Sequence, residues 1–396
     1  MALTLCYRGS CGSDGLACQD DVRSCARCDR NVAEGPTSID LRMSLPIDRS
    51  LSPRLDAVAV ASHKLTNLPA DHMFIAEYAH GEWRKARIQP YRPIPMSPLA
   101  LGMHYAQIVF EGMKAYRMAG DSIGVFRTDR HHERFNRSLV RMCMPEISQE
   151  LFTDAIHTLV DLDRDWVPPG PDAAYYIRPF MIASEERMGL KAADEFLFMV
   201  VGGPFRPLYQ KPLRVKVERE FTRAAHGGTG YAKCAGNYAA AMYPTRLAQE
   251  AGFDQVIWTD ARDHAFVEES GTMNLAFVID GKVVTPALSD TILDGVTRNS
   301  LLTIARDLGI EVEERPVSVE ELHAGLLSGS ITEAFGVGTA ASVAPIGVIN
   351  IDGEDLALTV SPDKTMFRLK QELNDIRYGV VPDQRGWMNI VDGIAK

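Results

Sequence analysis

Strand-length and helix-length hydrophobic patterns alternate along most of the chain, and that alternation restricts it to a mixed α/β or α+β architecture. Met73–Tyr78 and Asp121–Phe126 read as strands, the first followed by a turn at His80-Gly81. From Arg130 to Met142 the apolar residues Phe135, Leu139 and Met142 share one helical face. Glu195–Val201 is a continuous apolar run, as expected of a buried strand. Tyr238–Glu250 has helical composition and stops at Gly252, and Ser300–Leu308 reads as a helix closed by Gly309. Gln255–Asp260, Ala276–Ile279 and Ile331–Val337 are strand-like, with a hairpin signal at Asp280-Gly281.

The passage Gly202-Gly203-Pro204, followed by Pro207 and Pro212, interrupts this pattern. It predicts a small domain over 51–202, a linker over 203–212 and a large domain over 213–396, a division that suits a chain of 396 residues. Residues 1–50 read as a disordered extension or a misassigned start, since Met43 opens a more ordinary sequence. Five of the seven cysteines crowd into that segment (Cys6, Cys11, Cys18, Cys25 and Cys28). Cys25-x-x-Cys28 is half of a zinc motif without a second half, so no metal is expected. The remaining body holds only Cys143 and Cys234 and reads as a reduced, cytoplasmic protein. A net charge of −10 argues against nucleic acid and anionic membrane as partners, and no apolar run is long enough for a transmembrane helix.

The densest chemical signal is Gly227-Gly228-Thr229-Gly230-Tyr231-Ala232-Lys233-Cys234-Ala235-Gly236-Asn237-Tyr238. One lysine stands among small residues just before a helix, which leaves room for a flat ring against the backbone. Such an amine can form a Schiff base with an aldehyde cofactor. Read alone, the segment suits a solvated turn with a loop lysine, or a phosphate cradle, better than a Schiff-base site.

In sequence and order, this segment and six others resemble the branched-chain amino acid aminotransferases, pyridoxal-phosphate enzymes of fold type IV in the class IV aminotransferase family. The resemblance spans most of residues 60–390. It implies two domains with the cofactor between them, Lys233 as the Schiff-base lysine and proton carrier between substrate Cα and cofactor C4′, and Tyr238 on the phenolate oxygen. In His104–Tyr116 it makes Tyr105 and Phe110 substrate-pocket residues; Arg134, in His131-His132-Glu133-Arg134-Phe135, becomes a phosphate ligand. In Tyr175-Tyr176-Ile177-Arg178-Pro179 it sets Tyr176 and Arg178 beside the substrate carboxylate, and strand alternation puts both on one face. In Glu268-Glu269-Ser270-Gly271-Thr272-Met273-Asn274 it pairs Glu269 with the pyridine nitrogen, makes Glu268 a decoy and adds Thr272 to the cofactor set. In Leu293–Ser300 the N–H groups of Val296 and Thr297 would bind the phosphate. In Phe335–Ala341 Thr339 would touch the phosphate, and Thr339 and Ala340 the substrate carboxylate. His131 and His132 are dismissed as metal ligands, because adjacent helical residues point apart.

The implied reaction is transamination of leucine, isoleucine and valine with 2-oxoglutarate, giving 2-oxo acids and glutamate, in at least a homodimer whose two subunits complete each site. Two departures stand out. The redox Cys-x-x-Cys of animal members is replaced by Ala341 and Ala344, and Ser184–Gly189 is more charged than the usual version. D-amino acid aminotransferases and aminodeoxychorismate lyases share the fold, but Phe110–Tyr116 and Glu269–Asn274 favour the branched-chain reading. A nucleotide-binding module built on the Gly-rich turns is the rival from another class.

Overall fold

The computed structural model describes residues 45–54, 68–206, 211–391 and 393. Residues 1–44, with the five N-terminal cysteines, lie outside the described residues, as do 207–210 of the expected linker.

Two sheets organise the chain. The first contains β1 (His72–Ala79), β2 (Glu82–Pro90), β3 (Ile108–Phe110), β4 (Met113–Arg117), β5 (Ile123–Phe126), β6 (Ala174–Ala183) and β7 (Phe196–Phe205). The second contains β8 (Leu213–Val217), β9 (Gln255–Thr259), β10 (Val267–Ser270), β11 (Met273–Ile279), β12 (Lys282–Thr285), β13 (Val312–Glu314), β14 (Ile331–Gly338), β15 (Ser342–Ile351) and β16 (Glu354–Ala357). Near the C-terminus β17 (Met388–Ile390) returns to the first sheet and pairs antiparallel with β5. Three helices connect strands of the first sheet: α1 (Leu101–Tyr105), α2 (Thr128–Arg141) and α3 (Gln149–Leu162). Four follow later: α4 (Ala235–Glu250), α5 (Val296–Asp307), α6 (Val319–Ser328) and α7 (Thr365–Arg377).

The first sheet runs β17-β5-β4-β6-β7-β1-β2, with β3 attached to β6. All its pairings are antiparallel. Its fully buried Phe74, Phe135, Phe152 and Phe198 bring α2 and α3 onto β1 and β7 through tilted and stacked ring contacts. Each such side chain contributes about 2–3 kcal/mol through burial. In the second sheet the order β10-β9-β8-β15-β14-β11 closes on itself, because β10 also pairs with β11. Leu213, Val215, Leu275, Phe277 and Ile346 pack together among the strands of that ring. β8 lies parallel to β9 and β15, and the β8–β9 connection carries α4. A second core packs α5 and α7 with residues of both sheets, Tyr116, Phe126 and Phe205 from the first and Phe335 and Val337 from the second.

Three boundaries differ from the sequence expectation. β7 runs on through Gly202, Gly203 and Pro204 to Phe205, so the segment taken as linker begins inside a strand. These glycines serve close approach: a Cβ on Gly202 would overlap the Tyr175 ring, and one on Gly203 the Leu68 carbonyl. The body also starts before residue 51. Ile47 bridges Ile88, Asp48 N–H donates to the Ile88 carbonyl and Ile88 N–H to Pro46, each at 2.9 Å. β2 is an edge strand, and this segment satisfies its outward groups. Finally, β17 lies in the first sheet, although the sequence groups all of 213–396 with the second.

Candidate active site

Lys233 stands where the Gly-rich segment meets α4, and the junction is tied on every side. A Cβ on Gly230 would lie 2.6–2.7 Å from Ala224 and Thr291, so only glycine fits there. The Asn237 side chain, in the first turn of α4, donates to the carbonyls of Thr229 (2.8 Å) and Ala232 (2.9 Å) and accepts from Thr229 Oγ1 (2.6 Å). Lys233 N–H donates to Ser138 Oγ of α2 (3.0 Å), and its carbonyl accepts from the N–H of Phe110, the last residue of β3 (3.0 Å). The backbone is thereby fixed while the side chain extends free of it. Nζ donates to Tyr238 Oη at 2.8 Å and lies 4.9 Å from the centre of the Phe110 ring.

Lys233 lines a cavity of about 260 Å³. Around it stand Phe110, Arg134, Tyr176, Arg178, Tyr238, Glu269, Thr272, Val296, Thr297, Thr339 and Ala340, contributed by seven separate stretches of chain. Tyr105 is the exception among the sequence-predicted residues. It ends α1 on the outer side, 42% exposed, with Oη donating to the Met188 carbonyl. Ala106 turns the chain with φ +51, which sends Gln107 inward to donate to the Met142 carbonyl and leaves Tyr105 outside this chain's cavity.

Glu269 is 3% exposed on β10. Gly271, φ +58, makes the tight β10–β11 turn, and Glu269 pairs with Asn274 in register. Its Oε1 accepts from Leu293 N–H (2.7 Å) and from Asn274 Nδ2 (3.3 Å), while Oε2 lies 3.2 Å from Arg223 Nε in an ion contact without hydrogen-bond alignment. Burial raises the carboxyl's pKa, opposed by the Arg223 charge and the Leu293 N–H. Glu268 points away from the cavity, as alternation along a strand requires, and accepts from Thr291 Oγ1.

Arg134 comes from α2 and is held by Glu111, a wholly buried carboxylate. Arg134 Nε and Nη2 donate to Oε1 (2.6 Å) and Oε2 (2.8 Å) in a fork, which leaves Nη1 for the Asp294 carbonyl at 2.9 Å. His131 Nδ1 lies 2.8 Å from the same Oε2. Burial alone would raise the Glu111 carboxyl, but the Arg134 charge and then His131 outweigh it and hold it well below the usual carboxylate range. Burial lowers the His131 pKa against the pull of Glu111. His132 turns instead to the Ile147 carbonyl, and no metal-binding cluster occurs among the described residues. Beside Arg134, α5 begins at Val296 after Gly295, which supplies no side-chain cap. The N–H groups of its first turn, Val296 and Thr297 among them, are therefore offered to an anion along with the helix dipole.

At another wall Arg178 Nη2 donates to Tyr176 Oη (2.9 Å), and the guanidinium lies 4.8 Å from the Phe110 ring centre. Thr339 and Ala340 occupy the turn between β14 and β15. Amine, buried carboxylate, uncapped helix start with an arginine, and a separate cationic corner fit a flat phosphate-bearing aldehyde and a carboxylate substrate. Sequence reasoning missed Glu111 and Arg223 as supports. Glu111 lay within a quoted segment without a role, and Arg223 gave no local signal, since its partner Glu269 is 46 positions on.

The amino-transferase class IV family pattern matches residues 108–349. Over 323 residues the chain is 44% identical to branched-chain-amino-acid transaminase 1 of Bacillus subtilis (strain 168), covering 80% of this chain and 91% of that protein. Its fold is similar to that of a branched-chain aminotransferase from the thermophilic archaeon Thermoproteus uzoniensis, solved with norvaline. The TM-score is 0.67 at 27% identity over 80% of this chain and 99% of that one. A second branched-chain amino acid aminotransferase, solved as a complex with N-(5′-phosphopyridoxyl)-L-glutamate, gives a TM-score of 0.65 at 27% identity, over 80% of this chain and 98% of that one.

Proposed function

The chain belongs to the class IV aminotransferase family, and we propose Lys233 as the residue through which it transaminates branched-chain amino acids. Leucine, isoleucine and valine are the amino donors and 2-oxoglutarate the acceptor, giving 2-oxo acids and glutamate. The observation that carries the assignment to Lys233 is its Nζ entering a cavity that also holds buried Glu269, Arg134 and the uncapped start of α5.

The cofactor is pyridoxal 5′-phosphate, which supplies an aldehyde to take up the amino group and a ring that withdraws electrons from the substrate Cα. In our reading Lys233 Nζ would take the proton from the substrate Cα as base and give it back as acid. Tyr238 Oη keeps that amine in place and meets the phenolate oxygen. Glu269 would accept from the protonated ring nitrogen, and Arg223 beside it favours the ionised carboxylate that this needs. Arg134, Val296, Thr297 and Thr339 would hold the phosphate, and Thr272, which lines the same cavity, would complete the cofactor set. Tyr176, Arg178, Thr339 and Ala340 receive the substrate carboxylate, and Phe110 supplies an apolar wall for the side chain.

We also infer a homodimer in the cytoplasm. A second subunit completing each site accounts for Tyr105, a predicted pocket residue that lies outside its own chain's cavity. Among the described residues no helix is long and apolar enough to cross a membrane. The division into small and large domains is supported by sheet membership, since apart from β17 each sheet draws its strands from one side of residues 206–212.

The test is an absorbance spectrum of the purified protein with pyridoxal phosphate. A near-visible band should shift with L-leucine, return with 2-oxoglutarate and be lost in Lys233→Ala. A band that ignores L-leucine but answers D-alanine would overturn the substrate assignment.

A further inference from the structure

Two buried cations lie behind the β14–β15 turn, and among the described residues no carboxylate forms an ion pair with either. Lys114, 5% exposed on β4, stands in register with Tyr176 of β6. Its Nζ lies 3.9 Å from the Phe205 ring centre and donates to the Ala340 carbonyl at 3.3 Å. Arg377, 1% exposed, closes α7. Its Nη1 donates to Ser342 Oγ at 3.0 Å, and its guanidinium lies 4.4 Å from the Phe126 ring centre and 5.5 Å from that of Tyr116. Neither cation lines the cavity; Thr339, Ala340 and Ala341 of the turn do.

The nearby acid, Asp172, is already engaged by Lys370 Nζ (3.1 Å) and Asn374 Nδ2 (3.4 Å). Burial, followed by the charge of Arg377, pushes the Lys114 pKa well below its ordinary value, and Asp172 opposes this. Keeping both groups charged where neither is ion-paired to a carboxylate is costly. Their contacts on the turn are oxygen acceptors, a carbonyl and a hydroxyl. They draw the turn's oxygens backward, which leaves its N–H groups to an anion on the cavity side.

We propose that Lys114 and Arg377 are positioning residues for the substrate: they hold the Thr339–Ser342 turn from behind, and the substrate α-carboxylate in front of the turn is their missing counter-charge. This rests on the aminotransferase reading of the cavity. It assigns Lys114 a function outside the cofactor set and without contact to substrate.

The holoenzyme tests it with 4-methylvalerate, a carboxylate of leucine-like shape that has no amino group to react, titrated by the change in cofactor absorbance. Lys114→Met should weaken 4-methylvalerate by about tenfold, the effect of losing one charged hydrogen bond. The affinity for pyridoxal phosphate should stay within about twofold. Lys114→Gln keeps a donor without the charge and should lose only about threefold; it also serves if the Met variant does not fold. Unchanged affinity for 4-methylvalerate in both variants would overturn the proposal. So would a parallel loss of cofactor affinity, which marks a general packing role. A wild-type protein that takes up cofactor but ignores 4-methylvalerate would instead refute the substrate reading beneath it.

Discussion

Replacing Gly112 with alanine tests whether Tyr176 and Arg178 act as one unit. Gly112 lies against the Tyr176 ring, where an added Cβ would overlap the hydroxyl and sit 2.9 Å from Cζ. Carbon contacts settle near ~3.5–4.0 Å, so the hydroxyl must retreat by roughly 1 Å. Arg178 Nη2 reaches it at 2.9 Å, and a retreat of that size takes the pair beyond hydrogen-bond range. Gly112 does not have positive φ, so alanine adds no backbone strain there and the effect is one of contact alone. A hydrogen bond from a charged donor contributes about 1.5–3 kcal/mol, which corresponds to roughly 10–150-fold in kcat/KM. The assay is steady-state transamination of L-leucine alongside cofactor loading by absorbance. Loading should be retained while KM for the amino acid rises. A kcat/KM within about threefold of wild type would refute the coupling, and so would a loss traced wholly to missing cofactor.

Two further predictions concern buried charge. Glu111→Gln leaves buried Arg134 without its counter-charge, so the cofactor-free protein should lose about 3–5 kcal/mol of stability in urea. The cofactor phosphate should offset part of that loss, and equal losses with and without cofactor would sink the placement of phosphate beside Arg134. His157 Nε2 lies 3.1 Å from Thr128 Oγ1, and burial pushes its pKa down to about 4. The folded state therefore binds fewer protons than the unfolded state between that value and the ordinary histidine pKa. Stability falls as pH drops through this window, by about 2–3 kcal/mol from this residue between pH 7 and pH 4.5. His157→Gln should show a correspondingly smaller loss of urea stability over the same range, and an unchanged pH slope would refute the assignment.

Local chemistry was the part legible in advance. The Lys233 segment sets one lysine among small residues and α4 begins two residues after it, and its role was read from the resemblance of seven ordered segments together. The hairpin at Asp280-Gly281 forms where both residues adopt positive φ, and helix α5 starts at Val296, after Gly295, with its first turn uncapped. Glu269 was told from Glu268 by the resemblance, and the structure separates them because a strand sends adjacent side chains to opposite faces. The Gly202-Gly203 pair misled, because glycine marks both chain breaks and close packing, and the Tyr175 ring that selects it is 27 positions away.

The sequence by itself determined the types of many elements and the order of the chemical segments, since each is a matter of spacing along one stretch of chain, while Lys233 was singled out only by the resemblance those segments carry together. Only the tertiary structure decided that Glu111 clamps Arg134, that Arg223 sits by Glu269, that β17 joins the first sheet, that Tyr105 faces outward and that Lys114 reaches Ala340, 226 positions on. Those pairings follow from strand register and from which charges the fold removes from water together. Neither leaves a periodic mark in the chain, because a buried cation and its distant partner carry no local signal of each other.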